Sequence, residues 1–439
     1  MRLKPYPAYK ATDLAWLPEV PQGWEMLHLR QMLKPFSEKG HPKAQLLSVV
    51  RDKGVIVRDM ENDEENHNFI PDDLSGYKFV RKGQFAMNKM KAWQGSYGVS
   101  DHEGIVSPAY FVFDLVANVL PRFFHTAIRS SFYVPFFGSA SDGIRVGQWD
   151  LSIPRMKEIP FFVPPRAEQE AIVAYLDGKT AKIDRLIGLK EREIKLLNEK
   201  KQAVISKVVT RGLDPNAELV DSGVDWIGKV PRGWKVLKLS HRYSVQLGKM
   251  LDASKFKGDF AVPYLRNQDV QWDYINTFEL PQMDIRPEER ERFSAKEGDL
   301  LLCEGGEIGR CCVWDKKEIV YFQKAIMRLR PHDGSDDCVR YLWHLLRAAS
   351  AHSAFVNATG KATIAHLPAE KLSAARLSFP PLSEQREIVA YLDAEGAKTD
   401  KAIAAVTRQI GLLKEYRTRL ISDAVTGRID LRKAARTIN

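Results

Sequence analysis

Hydrophobic and polar positions follow two different patterns along the chain. In residues 25–163 and 235–379, short apolar runs alternate with polar positions and are interrupted by Gly, Pro, Asn and Asp, as in β-strands joined by turns. These two regions are therefore predicted to form mixed α+β bodies with some helix. The clearest predicted elements are the strands in KFVRKGQFAMNKM (78–90), AYFVFDL (109–115), GDLLLCEGG (298–306) and AIMRLRP (325–331), and the helix YLWHLLRAA (341–349).

The second pattern is a heptad repeat, found in residues 164–214 and again in 380–430. After its two opening prolines, each segment lacks proline and is rich in residues that favour a helix. Gly212 and Gly427 lie where each helix is expected to end. The seam of alternating four- and three-residue spacing consists of Ile183, Ile187, Lys190, Ile194, Leu197, Lys201, Val204 and Val208, and of Thr399, Ile403, Val406, Ile410, Leu413, Arg417, Leu420 and Ala424.

The chain contains an internal repeat. WLPEVPQGWEMLHL (16–29) matches WIGKVPRGWKVLKL (226–239), and PPRAEQEAIVAYLD (164–177) matches PPLSEQREIVAYLD (380–393). The second match continues without a gap to Asp214 and Asp430, with nearly half of the positions identical. Such similarity indicates a tandem duplication. The two bodies between these flanks have diverged far more.

The order of the repeats predicts how the two helices pair. The first helix leads from the first body into the second body, where the second helix begins. A parallel pair would require the second body to span the whole helix backwards, so an antiparallel pair is favoured. The predicted fold class is α+β: two tandem mixed α/β domains separated by a pair of long antiparallel coiled-coil helices, with pseudo-two-fold symmetry from internal duplication. The predicted boundaries are 1–163, 164–212, 213–379, 380–430 and a tail of 431–439.

Composition narrows the class of protein. The 439 residues are 44% hydrophobic and 28% charged, which is ordinary for globular domains. The net charge of +10 suggests a polyanionic partner, but it is spread over the chain without a basic block. There is no apolar run long enough for a membrane span and no signal-peptide pattern at the N-terminus, so a cytoplasmic location is expected. The four cysteines have no CxxC spacing and are expected to be reduced.

Catalytic motifs are missing from the sequence. Gly178-Lys179-Thr180 lacks the leading glycine of a phosphate-binding loop, and neither HExxH nor GxSxG occurs. The acidic run at 61–65 is typical of a solvated loop, and GEIGR (306–310) is at best a weak phosphate cradle. No catalytic residue, metal site or cofactor is therefore predicted.

Polar loops with basic, amide and aromatic side chains are the candidate binding sites. Lys and Arg suit phosphates and guanine edges, whereas Asn and Gln suit adenine edges. The alternative for each loop is an ordinary surface turn. Trp16, Trp24, Trp226 and Trp234 are instead expected to pack in the core. The candidate DNA-binding residues are Asn88, Lys89, Lys91, Trp93, Gln94, Ser96 and Tyr97 in the first body, and Lys249, Lys255, Lys257, Arg266, Asn267, Gln268, Lys361 and Thr363 in the second.

With the repeat in view, the chain resembles the specificity subunit of type I restriction–modification systems. The resemblance covers essentially the whole chain in family order. One departure is that the first helix ends in TRG where the second has TGR. The carrying segments are WLPEVPQGWE and WIGKVPRGWK, KGQFAMNKMKAWQGSYGV with GIVSPAYFVF (104–113), the two PP…EQ…IVAYLD helix starts, and VVTRGLD (208–214) with AVTGRID (424–430).

The resemblance implies a non-catalytic subunit that serves phage defence. Each body would be a target recognition domain that reads one half of an asymmetric bipartite sequence in double-stranded DNA. The helices would set the gap and dock two methyltransferase subunits, through the seam residues Ile183, Ile187, Ile194, Leu197, Val204, Ile403, Ile410, Leu413 and Leu420. S-adenosylmethionine, ATP and Mg²⁺ would belong to the methyltransferase and motor–nuclease partners. Lys190 and Lys201 would either meet a methyltransferase or lie along a solvated edge.

Two alternatives stay open. A self-contained DNA methyltransferase or nuclease would need a motif such as Asn-Pro-Pro-aromatic, and Ser107-Pro108-Ala109-Tyr110 is the nearest segment, with the wrong residues. A coiled-coil scaffold whose bodies bind protein would explain the modest charge of each body. Binding to duplex DNA in the presence of a methyltransferase separates the scaffold from a specificity subunit.

Overall fold

The computed structural model describes residues 4–59, 70–116, 118–143, 149–252, 256–335, 337–355 and 366–433. The chain forms two compact units, and each takes part of both long helices. The first unit combines Met1–Glu191 with Arg408–Asn439, and the second unit is Arg192–Thr407. The five boundaries predicted from the repeat stay a prediction.

The first unit contains short strands and short helices before its first long helix begins. The helices are α1 Leu29–Met32, α2 Pro121–Ile128, α3 Val134–Ser139, α4 Ile153–Lys157 and the start of α5 Arg166–Arg211. The strands are β1 Tyr9–Ala11, β2 Glu19–Pro21, β3 Glu25–His28, β4 Leu33–Phe36, β5 Leu47–Val50, β6 Gly54–Val57, β7 Lys78–Val80, β8 Phe85–Asn88, β9 Tyr97–Val99, β10 Gly104–Val106, β11 Tyr110–Leu115, β12 Ser141–Asp142, β13 Asp150–Leu151 and β14 Pro160–Val163.

A four-stranded antiparallel sheet in the order β4-β11-β8-β9 forms the centre of the first unit. Its core is aromatic: Phe85 on β8 packs edge-on against Phe124 of α2, at 5.3 Å between ring centroids. Phe124 in turn contacts Phe161 on β14, which stacks on Tyr133. Helix α2 is therefore fixed between the sheet and the strand that leads into α5.

The second unit has its own strands and helices. The helices are α6 Arg290–Phe293, α7 Val339–Ala351, α8 Ala369–Ala374 and most of α9 Leu382–Val425. The strands are β15 Leu219–Asp221, β16 Lys229–Pro231, β17 Lys235–Lys238, β18 Tyr243–Leu247, β19 Ala261–Leu265, β20 Gln282–Asp284, β21 Ser294–Ala295, β22 Leu300–Cys303, β23 Cys311–Val313, β24 Val320–Phe322, β25 Ile326–Pro331 and β26 Arg376–Phe379.

The diverged bodies share one sheet topology. The second unit has an antiparallel sheet in the order β18-β25-β22-β23, which matches β4-β11-β8-β9 strand for strand. The side-chain bonds correspond as well: Gln84 donates to Asp114 in the first unit, and Arg330 donates to Asp299 in the second. All four predicted strand segments and the helix at 341–349 are confirmed. The common sheet shows that the duplication includes the bodies, which their sequences alone barely reveal.

The second unit carries a further sheet, in the order β20-β19-β24-β21. In this sheet β19 and β24 run parallel, with Tyr264 opposite Tyr321. A separate hydrophobic cluster that includes Leu265, Trp314 and Phe322 packs beneath it. The two units therefore differ in the elements built around the common sheet.

The long helices α5 and α9 have 46 and 44 residues. Within each unit, their segments run antiparallel, as predicted. In the second unit Lys201 binds Asp400 while Gly212 lies beside Glu384, so positions rise along α5 as they fall along α9. The helices end as predicted, because Gly212 and Gly427 have φ of 72° and 73°, a conformation that only glycine adopts freely.

An indole–carboxylate hydrogen bond joins the two repeated motifs in each unit. Trp24 Nε1 donates to Glu168 at 2.8 Å, and Trp234 Nε1 donates to Glu384 at 3.0 Å. Both tryptophans are buried, whereas Trp16 and Trp226 are half-buried against other rings, so the predicted packing role is confirmed. Burial raises the pKa of Glu384, and the bond from Trp234 opposes that rise.

The glutamine that follows each of these glutamates caps a helix of the body. Gln169 is fully buried; its Oε1 accepts from the N–H of Leu120, the residue just before α2. Gln385 is also fully buried and accepts from the N–H of Cys338, the residue just before α7. Each amide Nε2 donates to the carbonyl of the first proline of its own helix start, Pro164 or Pro380. Body and long helix are thereby held in one orientation within each unit.

The sequence also predicts that no segment spans a membrane and that the cysteines are reduced. Among the described helices, none combines the length and the apolar content needed to cross a bilayer. The four cysteines are free thiols, as expected, and three of them are buried.

We predict that Trp24→Phe lowers the free energy of unfolding of the first unit by about 1–3 kcal/mol. The substitution keeps a ring but leaves the buried Glu168 carboxylate with one donor fewer. Urea unfolding followed by circular dichroism would measure the change. Trp16→Phe is the matched control, because the described residues give that indole no carboxylate partner, and a smaller loss is expected. Equal losses for the two variants would contradict the role of the bond.

Candidate nucleic-acid interface

The first candidate loop starts at the end of β8. Asn88 organises it: its backbone N–H donates to Ser96 O at 3.0 Å, and its side-chain oxygen accepts from Met90 N at 3.1 Å. Its amide nitrogen donates to the hydroxyl of Tyr110 on the neighbouring strand. Asn88 is 9% exposed, so its polar atoms serve mainly to fix the loop.

The middle of this loop presents the available side chains. Lys89 forms an ion pair with Asp150 at 2.8 Å, and Trp93 packs against Trp149 at 5.2 Å between ring centroids. Lys91 is exposed and has no ion-pair partner among the described residues. The loop therefore offers one unpaired cation beside a rigid pair of aromatic rings, an arrangement that suits a phosphate and a base.

Ser96 and Tyr97 lie inside the body. Tyr97 is fully buried, donates its hydroxyl to Ile128 O at 3.2 Å and packs against Phe137. Burial raises the pKa of its phenol. Ser96 is 2% exposed. Both residues support the loop instead of presenting a side chain at its surface, because β9 runs back into the sheet from position 97.

In the second unit, Lys249 and Lys257 lie near the strand β20. Lys249 is paired with Glu289 at 2.5 Å, and that contact lowers the pKa of the Glu289 carboxyl. Lys257 is exposed, and its backbone N–H donates to Asp284, which lowers the pKa of Asp284. Lys255, Lys361 and Thr363 lie outside the described residues.

Arg266, Asn267 and Gln268 form a second candidate loop after β19. Arg266 makes two bonds of 2.9 Å to the buried carboxylate of Asp269, so its guanidinium is held in place and its pKa is raised. Asn267 donates to Gly305 O at 3.1 Å, and Gln268 is exposed. The fixed geometry suits a reading surface, although most of its charge is already balanced.

The structure adds residues that the sequence did not single out. Arg310 donates to Asn267 O at 2.8 Å, and Trp272 donates to Glu307 at 2.6 Å. These bonds bring the loop after β19 against GEIGR (306–310). The glycine-rich turn GEIGR is the sequence signal that points to this region. The sequence alone indicates only a weak phosphate cradle there.

The predicted helix seam is buried or half-buried at every position. Ile183, Ile187, Ile410 and Leu420 are buried, while Ile194, Leu197, Val204, Ile403 and Leu413 are half-buried. The use of this seam by a partner stays a prediction. On the long helices α5 and α9, the large apolar side chains that are exposed and lie outside the seam are Leu186, Leu189, Leu196, Tyr391, Leu412 and Tyr416.

Two polar seam residues, Lys201 and Arg417, form matched ion pairs. Lys201 Nζ binds Asp400 at 2.7 Å in the second unit, and Arg417 Nε binds Asp184 at 2.9 Å in the first. The repeat relates Lys201 to Arg417 and Asp184 to Asp400, so the same bond occurs once in each unit. Lys201 therefore pairs with the opposing helix within its own unit. Among the described residues, no cluster of His, Cys, Asp or Glu could hold a metal ion.

Comparison with known proteins identifies a family in the second half of the chain. The family model for the type I restriction modification DNA specificity domain matches residues 231–410. The MjaVIII specificity subunit of Methanocaldococcus jannaschii, a type I restriction enzyme subunit, is 31% identical over 28% of this chain. The EcoBI specificity subunit of Escherichia coli is 23% identical over 48% of this chain. The chain spans 26% of the first relative and 43% of the second.

Two solved structures share the fold. One, described as the basis of complex assembly and conformational transition of the type I R-M system, has a TM-score of 0.70 and 18% identity, and covers 93% of this chain and 99% of its own. The HsdS subunit of Thermoanaerobacter tengcongensis has a TM-score of 0.52 and 18% identity, over 93% and 98% of the two chains. At this identity the likeness concerns the fold alone.

We predict that Lys201→Ala and Asp400→Ala are coupled in a double-mutant cycle by about 0.5–1 kcal/mol, because Lys201 is mostly shielded from solvent while Asp400 is exposed. Urea unfolding of the single and double variants would measure the coupling. Lys195→Ala with Glu199→Ala, an exposed pair of 3.9 Å within α5, is the control and should show less coupling. No difference between the two cycles would contradict a stabilising role for the pair between the helices.

Proposed function

We propose, from the premise that the chain belongs to the family of type I restriction–modification specificity subunits, that it selects the DNA target of such a complex. Each body reads one half of a bipartite sequence, and the two helices set the gap between the halves. The subunit itself is non-catalytic. Methyltransferase and motor–nuclease partners supply the chemistry, with S-adenosylmethionine, ATP and Mg²⁺ bound to them, in the cytoplasm where the host DNA lies.

The proposal rests on one observation: the two units share a central sheet and its attachment to the long helix, but they differ in the elements around that sheet. Both units have the same four-stranded sheet and the same Trp–Glu bond, while the second unit adds a sheet that includes β19 and β24. A conserved attachment with different reading loops is what two unlike half-sites require. The asymmetric target follows from this difference between the loops.

Exposed cations mark the side of each body that would meet phosphate. Lys91 in the first unit and Lys257 in the second are exposed and have no ion-pair partner among the described residues. Their neighbours Lys89 and Lys249 are paired with Asp150 and Glu289. Unpaired cations neutralise phosphates at the lowest cost, because no existing ion pair must be broken.

The helices carry a matched pair of exposed leucines. Leu196 and Leu412 are related by the repeat and are 58% and 57% exposed. Side chains of this size at equivalent positions offer two similar apolar surfaces, which fits the docking of two copies of one partner. We assign them to the methyltransferase subunits, beside the seam residues that the sequence proposed for the same role.

The proposed function is tested by sequencing modified bases in host DNA with the gene intact and deleted. Adenine methylation at one gapped, two-part motif should disappear with the gene. A motif that persists would contradict the proposal. A second measurement is the binding of duplex DNA by the methyltransferase partner with and without this chain. If the chain adds nothing to that binding, the protein-binding scaffold is favoured.

We predict that removing one heptad from each helix, residues 189–195 and their repeat equivalents 405–411, shortens the gap of that motif by about three base pairs. Seven residues span about 10 Å of helix, against about 3.4 Å per base pair. The deletions retain the Lys201–Asp400 and Asp184–Arg417 pairs, which define the helix register. Modified-base sequencing would read the new gap. Altered half-sites, or an unchanged gap in a folded variant, would contradict the spacer role.

We predict that Lys91→Ala weakens binding to the motif duplex and lowers the slope of log K against log salt by about 1, as expected for one lost phosphate contact. Lys89→Ala is the matched control and should change the slope less, because Asp150 already balances that charge. Fluorescence anisotropy of the reconstituted methyltransferase complex between about 50 and 200 mM salt would measure both. Equal slopes for Lys91→Ala and the unaltered protein would contradict the contact.

A further inference from the structure

A cavity of about 590 Å³ lies in the first unit and borders the first candidate loop at Gln94. Its walls are the turn between β5 and β6, the loop before β9 at Gln94 and Gly95, the helix α2 with the residues that follow it, and the α5 and α9 segments of the first unit. This volume falls within the range of small-molecule sites. The lining is polar, with several basic side chains.

The charges that line the cavity do not balance. Arg122 is paired with Asp177 at 3.1 Å, and Arg417 is paired with Asp184. The remaining charged side chains of the lining are Arg51, Lys53, Arg129 and Asp52. Three cations therefore face one carboxylate, and the surplus of two positive charges would be neutralised by a dianion.

Arg129 is the cation set deepest in this lining. Its guanidinium donates to three backbone carbonyls, those of Tyr97 at 2.5 Å, Arg51 at 2.9 Å and Gly95 at 3.4 Å. No carboxylate of the described residues lies within ion-pair distance of it, and burial lowers its pKa. A partly buried charge held only by carbonyls is costly, and an anion in the cavity would offset that cost.

Ser130 provides a second polar group that lacks a partner. The residue is 4% exposed and lines the cavity, and its Oγ is buried with no hydrogen-bond partner among the described residues. A buried hydroxyl left unbonded costs about 1–3 kcal/mol. A ligand oxygen that reached this hydroxyl would supply the missing acceptor.

The positive charges of this lining also act on the imidazole of His125. Burial and the nearby charges of Arg129 and Arg122 lower its pKa to about 4, so the imidazole is neutral at pH 7. A neutral ring leaves the surplus of positive charge to the guanidinium and ammonium groups. It also gives the cavity a spectroscopic reporter.

At the corresponding place in the second unit, both arginines have carboxylate partners: Arg340 pairs with Asp393 and Arg347 with Asp273. Helix α7 begins after Cys338 as α2 begins after Leu120, and this alignment places Trp343 at the position of His125. Arg340 stacks on the Trp343 ring at 4.0 Å, and Arg347 stacks on it at 5.1 Å while pairing with Asp273. The same alignment places Arg347 at the position of Arg129, so the two units differ in the carboxylate partner of this arginine and not in the arginine itself.

We propose that this cavity binds a phosphate group, held by Arg51, Lys53 and Arg129 and by the hydroxyl of Ser130. The forked guanidinium of Arg129 and the ammonium of Lys53 match the oxygens of a phosphate dianion. The cavity is larger than a single phosphate, so the group is part of a larger molecule. Its two sources are a free phosphate compound and a phosphate of the DNA backbone.

The test is isothermal titration calorimetry of the full chain with inorganic pyrophosphate. We expect binding that weakens about tenfold in Lys53→Gln, as expected when a charged contact to phosphate is lost, and also weakens in Ser130→Ala. Lys43→Gln is the matched control, since Lys43 is an exposed lysine of the same unit outside the cavity, and it should bind as the unaltered protein does. The His125 ring proton resonances should shift on addition of pyrophosphate. Absence of binding, or equal weakening in Lys43→Gln and Lys53→Gln, would overturn the proposal.

Anisotropy with the motif duplex distinguishes the two sources. If a backbone phosphate occupies the cavity, Lys53→Gln weakens duplex binding and pyrophosphate competes with the duplex. If the ligand is a free phosphate compound, pyrophosphate binds while duplex affinity is unchanged in both experiments. Either result supports a phosphate site. The outcome is independent of the methylation test, because neither binding measurement depends on whether a methylated motif is lost.

Discussion

The hydrogen bond from a buried tryptophan to the first-turn glutamate of a long helix is the interaction on which each unit depends. Trp24 belongs to the motif that opens the body and Glu168 to the motif that opens the helix, and the bond fixes one against the other. Gln169 adds the second constraint by capping α2 from the same helical turn. An unpaired buried carboxylate is costly, so the bond and the orientation it sets are retained together. Trp234, Glu384 and Gln385 repeat the arrangement.

Duplication explains what the two units share, and packing explains where they differ. The central sheet and the capping glutamine recur because each satisfies buried backbone groups, and the ion pair between helix segments recurs with them. The elements around the sheet are under no such constraint. The second unit accordingly adds the β19–β24 sheet and pairs Arg340 and Arg347 of α7 with carboxylates, while the first unit has a positively charged cavity beside α2.

The candidate site was predictable in part. Loop positions and residue types could be chosen from composition, and Lys91, Lys257 and Gln268 are indeed exposed. Whether a charge is already balanced depends on residues far away in the chain: Asp150 for Lys89 and Glu289 for Lys249. Tyr97 is buried because β9 re-enters the sheet there, which loop composition does not reveal. The carbonyl-bound Arg129 carries no sequence signal, since its partners come from two distant segments, at Arg51 and at 95–97.

The sequence by itself determined the long helices with their ends, the heptad seam, the antiparallel pairing and the main strands of both bodies. Those features follow from local periodicity, glycine conformation and the order of a repeat, which neighbouring residues specify. Only the tertiary structure decided the common sheet beneath two diverged sequences, the partners of the lysines and the existence of the cavity. These depend on side chains brought together from distant positions, where strand pairing and burial determine which groups meet.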